Sequence, residues 1–501
     1  KSLLDMFPSF TLDTKLADST PYIKDDSFNT TVEVLVPRLV INFRIILELL
    51  LVYSTGIDLL RGEGTAFCVS FMKSTFLPRL DEIFEESFSS CQFNEISYDY
   101  KQEIFQNAVD FKDLLFHFCQ DFNTGTSYRK TYTKLLMKYV KDFVLSYRNF
   151  YKEILQRYAN SSSSNTGSAN GDEDEDNTKP SRISTWKKTP ALNEASKHII
   201  KGQQEYLPRE SEIMLNSNSG AIFQLTKDDF LDNDTFEQVC LLLSTTEWIM
   251  EWLPNIPQEM FHLEEEPLPR SDQLKQEWCF LEGGRNYFDN EVNMMLDQTS
   301  LAEFNDYIAE ITHIRDNSMI ALRYDIRCKA IYYIGTSYRN LKWDLSSEPG
   351  DSDGLISEYN KQIFLADSKL SSIMTQEKKN SLFYGLDRFV EDLVIRGSQI
   401  VIKMNTNGVK RVLLNVFVLQ QMLRNILQTP EEVNFNRSSQ FFGLFTLPEQ
   451  QLIELIRKNV AQVSELDYKS LIRLVFSERL SNGGSSFAKT KYNDVLRKSF
   501  E

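Results

Sequence analysis

The residues best suited to base catalysis or metal ligation near neutral pH are the histidines His117, His198, His262 and His313, and no two of them are close in sequence. His117 and Cys119 are neighbours, but two residues apart on a helix they point to different faces. The six cysteines, Cys68, Cys91, Cys119, Cys240, Cys279 and Cys328, are at least 23 residues apart, so no Cys-x-x-Cys pair exists to grip zinc or run redox chemistry. They read as buried thiols of a reducing compartment. Arg61-Gly-Glu-Gly64 contains a Gly-x-Gly but lacks the preceding strand and following lysine of a phosphate loop. Asp351-Ser-Asp-Gly354 resembles part of a calcium loop without the third acid or the distal bidentate Glu. Both read as ordinary loops. These patterns predict no catalytic, cofactor-binding or metal-binding residue, and therefore a protein that is not an enzyme.

One stretch carries a stronger charge signal. Over Tyr128 to Arg157, the cations Arg129, Lys130, Lys134, Lys138, Lys141, Arg148, Lys152 and Arg157 stand against only Asp142 and Glu153, with Tyr128, Tyr132, Tyr139 and Tyr147 interleaved. Arg129, Lys130, Lys134, Lys138 and Lys141 are the candidate contacts for an acidic partner or a phosphoinositide. The bland alternative is a solvated helix face beside acidic neighbours. The whole chain carries a formal net charge of -16, which disfavours nucleic acid as a partner and repels a polyanion from most directions.

The elements that must position these residues are helices. Gly (19) and Pro (14) are scarce for 501 residues, and strand-like alternation is nowhere sustained. A chain of this length exceeds a single core and is expected to split into several packed units. Val32 to Tyr53 is apolar but carries Glu33, Arg38, Arg44 and Glu48, so it reads as a core helix rather than a membrane span. The chain opens on Lys1, and Leu3 to Phe10 reads as a sequence already in progress, so a longer protein is expected.

Apolar residues vanish over Ala159 to Ser181, where Asp172 to Asp176 are all acidic, and such a segment cannot offset its ordering entropy. The division expected is a helical bundle over 1–158, a mostly disordered acidic and polar linker over 159–220, a bundle over 221–345 and a C-terminal bundle over 346–501. Helices are predicted over Thr31 to Leu60, Ala66 to Glu86, Lys101 to Phe122 and Tyr128 to Tyr158. Ser300 and Glu303 form a candidate capping box, followed by a helix of roughly nine turns. Leu382, Leu386, Phe389, Val390 and Leu393 form one later stripe. After a turn at Asn405 to Gly408, Val409 to Ile426 form another, stopped by Pro430, and Thr446 to Glu449 can cap a helix carrying Leu452, Ile456, Val460 and Val463.

Helices without a reactive centre suit a scaffold. Four ordered patches across about 150 residues make this specific: Leu322-Arg-Tyr-Asp-Ile-Arg327 with Tyr332 and Tyr333; Leu382-Phe-Tyr-Gly-Leu386 through Gly397-Ser-Gln399; Asn415-Val-Phe-Val-Leu-Gln-Gln421 with Asn425 and Ile426; and Glu465-Leu-Asp-Tyr468. In order, they resemble the C-terminal region of the Sec-eight family of exocyst subunits. The resemblance implies an all-α, elongated rod of consecutive helical bundles with one disordered acidic Ser/Asn-rich insertion, the latter similar to an elaboration of a fungal member. It further implies membership of the exocyst, which holds secretory vesicles at the plasma membrane before fusion. The implied partners are other exocyst subunits, with small GTPases and fusion machinery beyond them, at a cytoplasmic location peripheral to sites of polarised secretion. The alternative is a helical regulator of a small GTPase, of the exchange-factor type.

Overall fold

The stripes of threes and fours become helices wherever the chain is described. The computed structural model describes residues 22–25, 34–37, 70, 73–74, 77–93, 98–99, 103–122, 129–160, 181–215, 222–259, 294–427, 433–477 and 486–500. Among these the fold is all-α, and the sheets are three two-stranded pairs. The chain divides into two compact units, Lys1–Phe150 with Thr245–Ile314, and Tyr151–Ser244 with Arg315–Glu501.

In the first unit, β1 (Tyr22–Asp25) pairs antiparallel with β2 (Val34–Pro37), where a helix is predicted from sequence. The run Val-Leu-Val suits a strand, and a proline at its end donates no ladder hydrogen bond. The remainder of that predicted helix lies outside the described residues. Helix α1 (Leu77–Phe88) lies within the span predicted over Ala66 to Glu86, where Ser70, Lys73 and Ser74 are also helical, and it carries Pro78 in its first turn, where its missing N–H costs nothing. The short pair β3 (Tyr98–Asp99) and β4 (Ile104–Phe105) delays α2 to Gln106–Phe122, after Glu103 with its positive φ of 52°. Helix α3 (Arg129–Asn160) matches the predicted span closely. The core here is aromatic: Phe111 stacks on Phe143 with centroids 3.8 Å apart, and Phe93 on Phe150 at 4.3 Å.

The second unit holds helices within a segment that reads from sequence as disordered. Helices α4 (Arg182–Lys187), α5 (Pro190–Ile200) and α6 (Leu207–Leu215) occupy most of 182–215. Their burial explains it: Ile183, Trp186, Leu192, Ala195, Ile199, Met214 and Leu215 all join the core. Only seven apolar anchors among many polar residues sufficed, which is why composition hid them. The acidic run Asp172 to Asp176 lies outside the described residues.

Helix α7 (Asn233–Trp252) and the parallel pair β5 (Pro257–Glu259) and β6 (Met294–Leu296) precede α8, which runs over Gln298–Asn340. The start of α8 is set by Asp297, whose Oδ1 accepts from the Ser300 N–H at 2.7 Å. Ser300 thus lies inside the helix rather than capping it. The predicted nine turns extend to 43 residues.

Helices α9 (Gly354–Ile373), α10 (Gln376–Phe383), α11 (Leu386–Gly397), α12 (Thr406–Ile426), α13 (Asn436–Gly443), α14 (Glu449–Arg457), α15 (Glu465–Val475) and α16 (Ser486–Phe500) complete the chain. The stripe from Leu382 to Leu393 is buried as expected but broken at Gly385, which takes φ 76°. A Cβ there would also press on a terminal methyl of Leu207, which can shift, so it is the backbone conformation that requires glycine. Asn405 caps α12 by accepting from the Gly408 N–H at 2.9 Å. Thr446 does not cap α14; Pro448 holds that position, and the helix ends before Val460 and Val463 because Asn459 and Gln462 turn through positive φ.

Candidate functional site

The sequence-level chemistry does not converge. Cys91, Cys240 and Cys328 are buried free thiols, and burial pushes Cys240 and Cys328 well above the ordinary thiol range. His198 stacks on Tyr206, whereas His313 lies exposed on α8. The calcium-like Asp353 is a helix cap, its Oδ1 accepting from the Leu355 N–H at 3.1 Å. No cluster of His, Cys, Asp and Glu among the described residues could hold a metal, and none of the described helices is long and apolar enough to cross a membrane.

The basic stretch resolves into two faces of α3. Tyr139 and Tyr147 point inward, their hydroxyls donating to Asp81 Oδ1 at 2.6 Å and Asn107 Oδ1 at 2.9 Å. Lys134, Lys138, Lys141, Arg148 and Lys152 are exposed along a separate ridge at spacings of three, four and seven residues. The interleaving of tyrosine and cation in sequence is therefore not an interleaving on the surface. Neighbouring acids reach the ridge: Lys138 lies 3.4 Å from Asp81, and Arg148 lies 3.3 Å from Glu310. The side chains of Arg129 and Lys130 lie outside the described residues.

The four patches, by contrast, are brought together in the second unit. Arg323 Nε and Nη2 donate to the two oxygens of Glu210 at 2.7 and 2.6 Å, and Ser196 Oγ adds a third donor at 2.7 Å. Arg323 Nη1 donates to the carbonyls of Ser381 and Leu382, and Arg327 donates to those of Leu382 and Tyr384 at 3.2 and 2.9 Å. These carbonyls end α10, where a helix leaves acceptors without internal partners. The first patch thus caps the second from inside the core. Burial alone would raise the Glu210 carboxyl, but Arg323 and Arg327 pull it down to about 2. Burial and the adjacent Arg323 lower Arg327 to about 9, against the pull of Glu210.

The remaining patches join the same framework. Gln399 Nε2 donates to Asp467 Oδ1 at 2.8 Å, linking the second patch to the fourth. Asn415 Oδ1, in the third, accepts from the Asp353 N–H at 2.9 Å at the head of α9. Asp325 accepts from the Leu231 N–H at 2.7 Å and pairs with Lys329 at 2.7 Å, although burial still raises its carboxyl. Sequence reasoning missed Glu210, the acid at the centre. The available signal was the amphipathic spacing of Leu207, Met214 and Leu215 around it.

What this arrangement offers is a stiffened helical framework with its charges turned inward. No protein-family model matches the chain. The chain is 21% identical to the probable exocyst complex component sec8 of Neurospora crassa over 426 residues, which cover 81% of this chain and 37% of that protein. It is 26% identical over 220 residues to exocyst complex component 4 of Dictyostelium discoideum, covering 42% of this chain and 18% of that protein. The mouse exocyst complex component 4 is 22% identical over 208 residues, 40% of this chain and 21% of that protein. The chain thus spans at most 37% of the length of these three relatives. Its ordered patches and these similarities agree, and the chain is a relative of the exocyst subunits named sec8 and component 4.

Proposed function

We propose that the chain is a non-catalytic part of an exocyst-type tethering subunit, holding secretory vesicles at the plasma membrane before fusion. The observation that carries this reading is the coincidence of two facts. The chain is similar to one named exocyst component over 81% of its length, and its four family-like patches form the hydrogen-bonded core of the second unit instead of lining a reaction centre. In such a subunit, rigid helices fix the spacing of several weak contacts, so that avidity holds a vesicle without one tight site. Other exocyst subunits are its principal partners; small GTPases and fusion machinery are secondary ones, met at the cytoplasmic side of the plasma membrane. Lys134 and Lys141, exposed and without an acidic partner among the described residues, are among the cations of the α3 ridge left for an acidic protein segment or a phosphoinositide.

Affinity capture of the tagged chain from cell extract, with mass spectrometry, tests this. Recovery of several exocyst subunits supports the reading. Recovery of a lone small GTPase, with accelerated nucleotide release in a purified assay, replaces it with the regulator. Lys134→Glu with Lys138→Glu and Lys141→Glu should weaken binding to phosphoinositide vesicles or an acidic partner, and unchanged binding removes that ridge from the account.

A further inference from the structure

From Thr133 to Arg148 of α3 the exposed positions are Lys134, Lys138, Lys141, Leu145 and Arg148. Their spacings of four, three, four and three residues keep them in one nearly straight row, about 21 Å long at 1.5 Å per residue. Beside the row, Leu136, Val140, Phe143, Val144 and Tyr147 are buried. The neighbouring helices thus leave a ridge one residue wide, with the period of a coiled-coil seam.

Two observations set this ridge apart from a solvated helix face. Leu145, set among the cations, is 37% exposed and is the large apolar side chain that α3 leaves in water among its described residues. The acids within reach also compensate the cations incompletely. Lys138 lies 3.4 Å from Asp81 Oδ1, an oxygen that the Tyr139 hydroxyl already holds at 2.6 Å, and 44% of the lysine side chain stays exposed. Arg148 Nε lies 3.3 Å from Glu310, with 46% of its side chain exposed. Lys134 and Lys141 meet no acid among the described residues.

We propose that this ridge packs against an acidic α-helix of a partner protein, whose carboxylates meet the four cations while an apolar side chain covers Leu145. A helix laid along the ridge touches this single row and can repeat its period, and the lysine stems add apolar contact beside the charges. An anionic bilayer fits worse. A helix lying on a membrane presents a broad apolar face, whereas this row is one residue wide and is flanked by Asp81 and Glu310, both partly exposed. Of the two ligands considered for the ridge, this selects the protein segment. It rests on the tethering reading only for the expectation that the partner is another exocyst subunit.

The test titrates the full chain with a helical peptide of about 21 residues, long enough to hold its helix, that carries glutamates at alternating spacings of four and three around a central leucine. A shuffled peptide of the same composition and vesicles of phosphatidylcholine with phosphatidylserine are titrated alongside. The ordered peptide is expected to bind at least tenfold more tightly than the shuffled one. Lys134→Glu with Lys141→Glu should weaken its binding at least about tenfold, since two attractions become repulsions. Leu145→Ser, which leaves every charge in place, should weaken it about threefold. Thermal unfolding checks that both variants fold. Equal binding of the two peptides, binding of neither, unchanged affinity in either variant, or tighter binding to the vesicles than to the ordered peptide would each overturn the proposal. None of these outcomes touches the tethering reading, which rests on the core patches and is tested by capture of exocyst subunits.

Discussion

Arg323 and Glu210 form a two-point ion pair, at 2.7 and 2.6 Å, in which neither side chain exposes more than 1% of its surface. It joins the middle of the longest described helix to a nine-residue helix in a segment whose composition is that of a linker. Removing one partner leaves an uncompensated buried charge, whereas a surface pair removed in the same way costs little. Arg323→Met is therefore expected to destabilise the second unit by about 3–5 kcal/mol. The check is the urea midpoint at unchanged slope. A loss no larger than that of a surface pair such as Lys458 with Glu454 would mean the network is not structural.

The same carboxylate predicts a pH dependence. Glu210 is held at about 2, below the usual carboxylate value of 4.5. A depressed folded value means that its stabilisation is complete above about 4.5 and is lost as pH falls through about 2. The wild-type chain should lose on the order of 3 kcal/mol across that window from this group alone. In Glu210→Gln the component is absent, so the acid limb of the stability curve should flatten although the variant is weaker at neutral pH. Parallel curves would assign acid unfolding to other carboxylates.

Lys187 gives a dependence of opposite cause. Its Nζ is buried without a hydrogen-bond partner, 4.3 Å from the Tyr151 ring, and burial lowers it from 10.5 to about 7. The ring face returns part of the desolvation cost by cation–π attraction, about 2 kcal/mol when desolvated. A lysine lowered on folding penalises the folded state fully below about 7, and the penalty fades as pH rises towards 10.5. Lys187→Met should raise the melting temperature, with a gain that shrinks over that range. A gain independent of pH would place the cation in water.

The sequence made the long helices legible because their stripes are continuous: α3, α8 and α12 lie close to the predicted spans. It failed where a few anchors work at long range. Trp186 buries itself against Tyr324, far along the chain, and Leu192 is fully buried, and no local period announces either. Capping was misread at Ser300 and Thr446 because the pattern Ser/Thr-x-x-Glu also occurs inside and between helices. The patches resembling the exocyst family were visible as residues, yet their contacts were not, since Arg323 reaches carbonyls 58 to 61 positions away.

Gly408 offers a steric test. A Cβ at this position would collide with the Trp343 backbone carbonyl, which also accepts from the Asn405 N–H at 3.2 Å. A backbone atom cannot swing aside as a side chain can. Gly408→Ala should therefore cost about 1–3 kcal/mol by overpacking, although alanine is the better helix former. Asn405→Ala, which removes the cap and its hydrogen bonds with Leu345, should cost about 0.5–2 kcal/mol. Hydrogen exchange at the first turn of α12 distinguishes them: the cap variant frays that turn, and the glycine variant loosens its contact with Trp343.

The third patch separates packing from surface within a few residues. Leu419 is fully buried and Val416 is 2% exposed, while Phe417 between them is 59% exposed on the same helix. Leu419→Ala should cost about 2–5 kcal/mol through lost transfer energy and the cavity left behind. Phe417→Ser removes no core contact and should stay within about 0.5 kcal/mol of the parent. Thermal unfolding of the two variants decides the matter: a large loss in Phe417→Ser would mean that this ring packs within the chain in solution, and a small one leaves it as an apolar residue that folding does not require.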